Sequence, residues 1–166
     1  MILEKIVFRP GEPEDLKAIE AVQRRAFDQE DEAVLVGQLL AGPDETISLV
    51  AELDGRIVGH VLLTELRGPK RSLTLAPLAV DPDWRDFLIG TELTRHAIAL
   101  ARKSGWQSIF VVGDPVYYGR FGFKSQLADS VKSRWQGPSL MALELVPGSL
   151  SGYSGKLRFP DAFSAF

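Results

Sequence analysis

The distribution of apolar residues predicts that the chain begins with a strand followed by two helices. Residues 2–9 are rich in apolar and β-branched side chains, a composition typical of a strand. Gly11-Glu12-Pro13 then opens a helix, since proline is favoured in the first helical turn. The apolar face of this helix recurs every three or four residues, at Leu16, Ile19, Val22 and Ala26. A second, shorter helix is expected over about 31–41.

The middle of the chain predicts three strands. Residues 46–53 alternate apolar and polar side chains, and a second run extends from 56 to about 66. The Asp54-Gly55 pair between these runs predicts a two-residue hairpin turn, because such turns need positive backbone φ angles. Residues 72–80 predict a third strand. Pro77 inside it lacks the N–H that a sheet ladder requires, so it indicates an edge strand or a bulge.

The segment that follows predicts a helix and a buried strand. A helix is expected over 89–104, with an apolar stripe along one face. Ile109-Phe110-Val111-Val112 is apolar without a break, as in a strand that is buried on both faces of a parallel sheet. Further strands are expected near 121–126 and 140–146. The fold class is therefore α/β or α+β, with a mixed sheet and one right-handed strand–helix–strand unit.

Composition places the chain among globular proteins. Hydrophobic residues make up 45% and charged residues 25% of 166 residues, which suits one domain over 1–166. Lys and Arg number 19 against 22 Asp and Glu, and this net charge of −3 argues against nucleic-acid binding through bulk charge. The absence of cysteine excludes disulfides, thiolate nucleophiles and cysteine-ligated metals.

Two further observations concern metals and location. His60 and His96 are the only histidines, too few for an all-histidine metal site, so no metal is expected. No apolar run approaches the ~18–20 residues of a membrane span. The first residues lack the basic start and apolar stretch of a signal peptide. We therefore expect a cytoplasmic protein that does not bind membranes.

The strand order predicts where a ligand binds. Open α/β sheets bind ligands beyond the carboxyl ends of their parallel strands, which lie here near Val80 and around 112–114. The helix that begins near Ile89 faces the first of these ends. Its free N–H groups and positive dipole end favour an anion such as a phosphate.

Residues at this place carry a family resemblance. Leu78-Ala79-Val80-Asp81-Pro82, followed by Arg85 and Ile89-Gly90-Thr91-Glu92-Leu93, resembles the acetyl-CoA-binding motif of the GNAT N-acetyltransferase superfamily. Gly113-Asp114-Pro115-Val116-Tyr117-Tyr118-Gly119-Arg120-Phe121-Gly122-Phe123 resembles its second motif. This stretch is particularly similar to a bacterial branch known mostly as predicted acetyltransferases. Ala142-Leu143-Glu144-Leu145 also resembles that branch, as does Gly155-Lys156-Leu157-Arg158, so the likeness covers most of the chain.

The resemblance implies a fold and a cofactor site. The GNAT fold has a mixed, mostly antiparallel sheet with a central, splayed pair of parallel strands and flanking helices, and Pro77 fits the bulge where such sheets open. The resemblance also implies that acetyl-CoA is the co-substrate. Backbone groups of Leu78, Ala79 and Val80 would pair with the pantetheine arm. The pyrophosphate would be cradled by the turn formed by Arg85, Asp86, Phe87, Leu88, Ile89, Gly90 and Thr91.

The resemblance further implies direct transfer of acetyl from acetyl-CoA to a primary amine that the sequence does not identify. Tyr118 matches the tyrosine that protonates the leaving thiolate, and the alternative is a packing role among its aromatic neighbours. Asp28, Glu30, Glu65 and Asp114 are equal candidates for a general base. For His60, a hydrogen-bonded structural role is favoured over that of a base.

The acceptor pocket is expected around 27–34 and a strand hairpin near 126–140. The spacing of Phe159, Phe163 and Phe166 predicts a C-terminal tail that docks on the body of the protein. GNAT proteins often dimerise, so a homodimer is a further expectation.

The phosphate loop departs from the family pattern. Counted from Arg85, Asp86 and Leu88 occupy two positions that usually hold glycine, and only Gly90 remains. The carboxylate of Asp86 and the bulk of Leu88 oppose the approach of a phosphate, and they support an alternative hypothesis: a non-catalytic GNAT-fold binding domain. A third reading keeps the enzyme but changes the donor to another acyl-CoA.

Overall fold

A computed structural model describes all 166 residues and contains one six-stranded sheet whose strand order follows the chain. The strands are β1 (Ile6–Pro10), β2 (Thr46–Leu53), β3 (Arg56–Leu66), β4 (Ser72–Val80), β5 (Ser108–Val112) and β6 (Leu140–Glu144). Every neighbouring pair is antiparallel except β4 and β5, which are parallel. The predicted mixed, mostly antiparallel sheet with one parallel pair is confirmed.

Four α-helices flank the sheet: α1 (Leu16–Phe27), α2 (Asp31–Ala41), α3 (Ile89–Lys103) and α4 (Pro115–Gly119). Helix α1 packs against β3, β4 and α2 on one face of the sheet, and α3 packs against β2, β3 and β4 on the opposite face. The longest helix, α3, has 15 residues, and no helix has both the length and the apolar character that crossing a membrane requires.

The period-two pattern of the strands divides the core between two faces. Leu49 and Val61 pack in the cluster that includes the apolar stripe of α3. Their neighbours Val50 and Leu62 point the other way, into the cluster formed with α1 and α2. In β5, residues 109–111 are fully buried, which confirms the strand predicted from an unbroken apolar run.

Local backbone geometry agrees with two predictions. Asp54 and Gly55 have φ angles of 49° and 79°, as a tight hairpin turn requires. Pro77 lies in a central strand, not at an edge, and the register between β3 and β4 shifts between Val61 and Leu63. Of the two alternatives for Pro77, the bulge is therefore correct.

Two predicted strands need correction. The first strand begins at Ile6, because residues 2–5 form a 3-10 turn. The strand expected near 121–126 is wrong: only Lys124 forms an isolated bridge, to Ala142. Its aromatic side chains instead pack around Tyr118, and Gly122 turns the backbone with a φ of 98°.

The hairpin expected near 126–140 is also wrong. This segment begins with the 3-10 helix Ser125–Ala128 and continues through turns to β6. Its buried residues and those of the C-terminal part cover the β5–β6 half of the sheet. The chain ends in the 3-10 helix Asp161–Ala165, where Phe163 is buried against α2 and β3, so the predicted docking of the tail is confirmed.

Candidate active site

The sheet opens between the two parallel strands. Strands β4 and β5 pair only from Ser72 and Ser108 to Thr74 and Phe110. Beyond Thr74 the bulge at Pro77 turns β4 away while it stays paired with β3 as far as Val80. A gap therefore lies at the carboxyl ends of both strands, where the strand order predicted a ligand site.

The loop between β4 and α3 keeps a backbone that normally requires glycine. Asp86 and Leu88 have φ angles of 70° and 65°, in the left-handed region. None of the N–H groups from Arg85 to Leu88 donates to a backbone carbonyl. The first N–H groups of α3 add to them, because a helix leaves its initial donors without intrahelical partners. This run of free donors at the positive end of α3 can bind an anion.

Charged side chains fix the start of this loop. Asp81 is buried, and Arg25 of α1 donates to both of its carboxylate oxygens at 3.1 and 2.9 Å. Burial alone would raise the pKa of Asp81, but hydrogen bonds from Arg25 and the Asp83 N–H lower it overall. Arg25 also lies 3.3 Å from Asp83, so one guanidinium offsets two carboxylates beside the loop.

The side chain of Arg85, a residue expected at the pyrophosphate, is held by helix α1. Its guanidinium donates to the carbonyl of Ala26 at 2.6 Å, near the C-terminal end of α1. Helix α1 is thus tied to the loop by both Arg25 and Arg85. Within the loop, Ile89 is buried in the core, so only its backbone faces a ligand, whereas Phe87 and Leu88 are exposed.

Helix α4 positions Tyr118 beside the gap. Asp114 caps the helix by accepting from the Val116 N–H at 3.0 Å, and Pro115 occupies the first turn. Gly113 precedes the cap, and a Cβ built on it would lie only 2.6 Å from Cε2 of Tyr118. The ring of Tyr118 can therefore pack as it does only because residue 113 has no side chain.

Aromatic packing and burial define the chemistry of Tyr118. Its ring makes edge contacts with Tyr117 and Phe123, at centroid distances of 4.9 and 5.8 Å. Burial raises the pKa of Tyr118 to about 12, and the neighbouring Tyr117 adds to the increase. The phenol is thus neutral across the physiological range and able to donate a proton.

One cavity unites the gap, Tyr118 and the C-terminal tail. It has a volume of about 320 Å³, within the ~300–1,000 Å³ typical of ligand pockets. Leu78 of β4, Val112 of β5 and Tyr118 lie at its strand side. The complete lining is Phe27, Glu32, Leu35, Thr74, Leu75, Ala76, Pro77, Leu78, Val112, Tyr118, Trp135, Phe159, Phe163 and Phe166.

The second tyrosine of the motif links this cavity to the loop. A Cβ at Gly90 would lie 3.3 Å from the Tyr117 hydroxyl and 3.4 Å from Val80 Cγ2. Val80, Gly90 and Tyr117 thus lie together and form a continuous surface between the end of β4 and the loop. Sequence reasoning missed α4, the steric role of Gly113 and the contribution of the tail to the cavity. The tight turn residues Gly113-Asp114-Pro115 could have indicated the short helix.

His60 lies outside this surface, in the core between the sheet and α1. Its Nδ1 is 2.9 Å from Nε2 of Gln23, and its Nε2 is 2.9 Å from Oγ of Ser48. Burial lowers the pKa of His60 to about 3. This geometry supports the structural role and places no base from this residue in the cavity.

A sheet that opens between two parallel strands, with a donor-rich loop leading into the following helix, defines the fold of the GNAT acetyltransferases. This chain belongs to that family: residues 14–123 match the model of the acetyltransferase (GNAT) family.

Relatives agree in sequence. The chain is 29% identical to YhbS, an uncharacterized N-acetyltransferase of Escherichia coli, over 160 residues that cover 93% of this chain and 96% of YhbS. It is 36% identical over 139 residues to YjhQ, another uncharacterized N-acetyltransferase of Escherichia coli K12, with 78% and 75% of the two chains covered.

Solved structures agree in fold. The crystal structure of Escherichia coli YhbS in complex with CoA has a TM-score of 0.89 at 28% identity, covering 96% of this chain and 92% of that one. A GNAT family acetyltransferase from Brucella melitensis, in complex with acetyl-CoA, has a TM-score of 0.82 at 28% identity, covering 95% and 97%.

Proposed function

We propose that this protein transfers acetyl directly from acetyl-CoA to a primary amine, without a covalent enzyme intermediate. One observation carries the proposal: Tyr118, Leu78 and Val112 line the same cavity at the point where β4 and β5 separate. A neutral phenol, which could donate a proton, thus lies beside the gap that would hold the thioester. Two similar proteins form complexes with CoA and with acetyl-CoA, which supports acetyl-CoA as the acetyl donor.

The donor would lie along β4 and the loop. Backbone groups of Leu78, Ala79 and Val80 on the side facing the gap lack a strand partner there, and we infer that they pair with the pantetheine arm. The free N–H groups of the loop from Arg85 to Thr91 would bind the pyrophosphate. Arg85 would contribute its backbone, since its side chain is held by Ala26.

Acetyl-CoA supplies an activated acetyl thioester when bound. A backbone N–H of β4 beside the bulge would polarise the thioester carbonyl. The amine, having lost one proton to solvent, forms the C–N bond while the C–S bond breaks. Tyr118 gives its proton to the leaving sulfur, and the second proton lost by the nitrogen restores the phenol through solvent.

The non-catalytic alternative rests on Asp86 and Leu88. The backbone argues against a loop disabled by their bulk, since both residues already adopt the left-handed conformation that glycine would provide. Their side chains are exposed, and the loop N–H groups remain available. These features favour the enzyme over the binding domain.

The deciding experiment combines binding and turnover. Calorimetric titration with acetyl-CoA should give micromolar affinity, and a panel of primary amines should release free CoA thiol. Tyr118→Phe should reduce turnover about 10- to 1,000-fold while acetyl-CoA affinity stays nearly unchanged. Tyr153→Phe is the matched control, because the Tyr153 hydroxyl bonds to the Lys156 carbonyl outside the cavity. No binding at millimolar acetyl-CoA would favour the non-catalytic alternative.

A further inference from the structure

The walls of the cavity are mostly apolar and aromatic. Eleven of its fourteen lining residues are hydrophobic. Besides Tyr118, five aromatic side chains contribute: Phe27, Trp135, Phe159, Phe163 and Phe166. The hydroxyls of a sugar amine would lose water against these walls without gaining partners. The walls therefore favour an amine that is attached to an apolar body.

Part of this aromatic wall is held in place before any ligand arrives. The rings of Phe159 and Phe163 lie 5.8 Å apart, and Phe163 is only 7% exposed. Arg134 donates to the Phe163 carbonyl at 2.7 Å, and its guanidinium lies 4.6 Å from the Trp135 ring. Arg134 thus joins the segment around Trp135 to the C-terminal tail. A preformed wall binds an apolar body without the entropic cost of ordering the chain.

A single charged residue lies among these walls. Glu32, half-buried in the first turn of α2, is the only charged side chain in the lining. It has no ion-pair partner, and its two oxygens accept hydrogen bonds from the Gln29 amide at 2.9 and 3.1 Å. Its carboxylate is therefore oriented and carries a negative charge that no cation of the protein neutralises. An ammonium ion would complement that charge.

We propose that the acceptor is a primary amine on an aromatic or similarly compact apolar body, and that Glu32 binds its ammonium group before the nitrogen loses a proton to solvent and attacks. This inference rests on the proposed acetyl transfer and names the substrate class for the same cavity. The apolar body would occupy the wall formed by Trp135, Phe159 and Phe163, with the nitrogen close to the gap. The aromatic faces add a further attraction for the cation.

A long acyl chain on the donor is the competing occupant of these apolar walls. Glu32 decides between the two, because a carboxylate beside an acyl chain loses water and gains no partner. The same carboxylate beside an ammonium forms a charge-assisted hydrogen bond. The charge of the cavity therefore favours an apolar amine as the acceptor over a longer acyl group on the donor.

Calorimetry with three matched compounds tests this substrate class. The protein, with and without saturating CoA, is titrated with 2-phenylethylamine, with ethanolamine, which lacks the apolar body, and with 2-phenylethanol, which lacks the ammonium. The first should bind at least tenfold more tightly than the other two. Glu32→Gln should weaken binding of 2-phenylethylamine about tenfold and leave 2-phenylethanol unchanged. Asp31→Asn, which removes a neighbouring charge outside the cavity, should change neither.

The outcomes separate this inference from the proposed function. Equal binding of ethanolamine and 2-phenylethylamine would overturn the inference, as would no amine binding at all. Octanoyl-CoA that binds tenfold more tightly than acetyl-CoA and displaces 2-phenylethylamine would also overturn it. Acetylation of ethanolamine and 2-phenylethylamine with equal kcat/KM would keep the transferase and refute the substrate class. Selective binding of 2-phenylethylamine with no acetylation of any amine in the panel would keep the cavity's preference and refute the transferase.

Discussion

The charge of Asp86, more than its bulk, should limit CoA affinity, and Asp86→Asn isolates that charge. Asparagine keeps the size of the side chain and tolerates the left-handed backbone that residue 86 adopts at a φ of 70°. The substitution therefore removes a negative charge from the loop with little change in its conformation.

The expected magnitude follows from the exposure of Asp86. Two unit charges about 4 Å apart repel by about 1 kcal/mol in water and about 4 kcal/mol at an effective dielectric of 20. Because the Asp86 side chain is exposed, the lower figure applies to each charge of the pyrophosphate. A total of about 1–2 kcal/mol predicts that Asp86→Asn binds CoA about 5- to 30-fold more tightly at low salt.

Leu88→Gly provides the contrast in bulk. Leu88 is 57% exposed and has a φ of 65°, so the loop already holds the conformation that glycine favours. A non-glycine residue in the left-handed conformation costs about 1–2 kcal/mol, and glycine at 88 would remove this cost from the folded state. Glycine also gives the unfolded chain more conformational entropy, which lowers the free energy of unfolding by about 0.5–1 kcal/mol. We therefore expect slightly higher stability and a CoA affinity within about threefold of the parent, since loss of one exposed side chain shifts binding by well under 1 kcal/mol.

Calorimetric titration with CoA at 50 mM and 1 M NaCl measures both effects. The gain for Asp86→Asn should fall below about twofold at 1 M salt, where the Debye length is about 3 Å. Asp129→Asn removes an exposed carboxylate elsewhere and should leave affinity unchanged. The reasoning is refuted if Leu88→Gly alone produces the larger gain. A gain for Asp86→Asn that persists at 1 M salt would refute it equally.

Three further predictions concern the proton donor and the core. Gly113→Ala should lower kcat at least tenfold, because the new Cβ would displace the Tyr118 ring, whereas Gly119→Ala, which has open space around it, should not; steady-state kinetics of both variants compare them. Because burial raises the pKa of Tyr118 to about 12, the pH–rate profile should show no loss of activity with a midpoint near 10; such a loss would exclude Tyr118 as an acid of this strength. Burial lowers the pKa of His60 to about 3, so the unfolded chain binds a proton that the folded protein does not as the pH falls below about 6.5. The free energy of unfolding should therefore decrease by up to about 1.4 kcal/mol per pH unit there, and urea denaturation of His60→Gln from pH 5 to 8 should show a weaker dependence.

Periodicity was sufficient for most of the sheet and the long helices. The stripe of α3 and the alternating apolar residues of β2 pack into one cluster, and a pattern of residues records such burial directly. Residues 121–123 misled the prediction, because aromatic residues that favour strands also pack well around another ring. Here Tyr118, only three to five residues earlier in the chain, supplies that ring, and residue composition alone does not distinguish this packing from a strand.

The site was predictable in chemistry but not in shape. Family motifs identified the loop and Tyr118 as candidates, whereas the left-handed conformation of Asp86 and Leu88 is set by the surrounding fold. The cavity joins Glu32 of α2 to Trp135 and Phe163, which are far apart in the chain. Contacts over such separations depend on tertiary packing, which the local pattern of residues does not show.

Because β4 separates early from β5, amide hydrogen exchange in β4 should respond to binding of the acetyl donor. Pairing ends at Thr74, so the backbone amides of residues 75–80 that face the gap have no neighbouring strand. Their hydrogens should exchange with solvent faster than those of the same strand that pair with β3. A ligand that forms hydrogen bonds with the amides facing the gap would slow their exchange selectively. Hydrogen–deuterium exchange could then follow donor binding before any acceptor amine is identified.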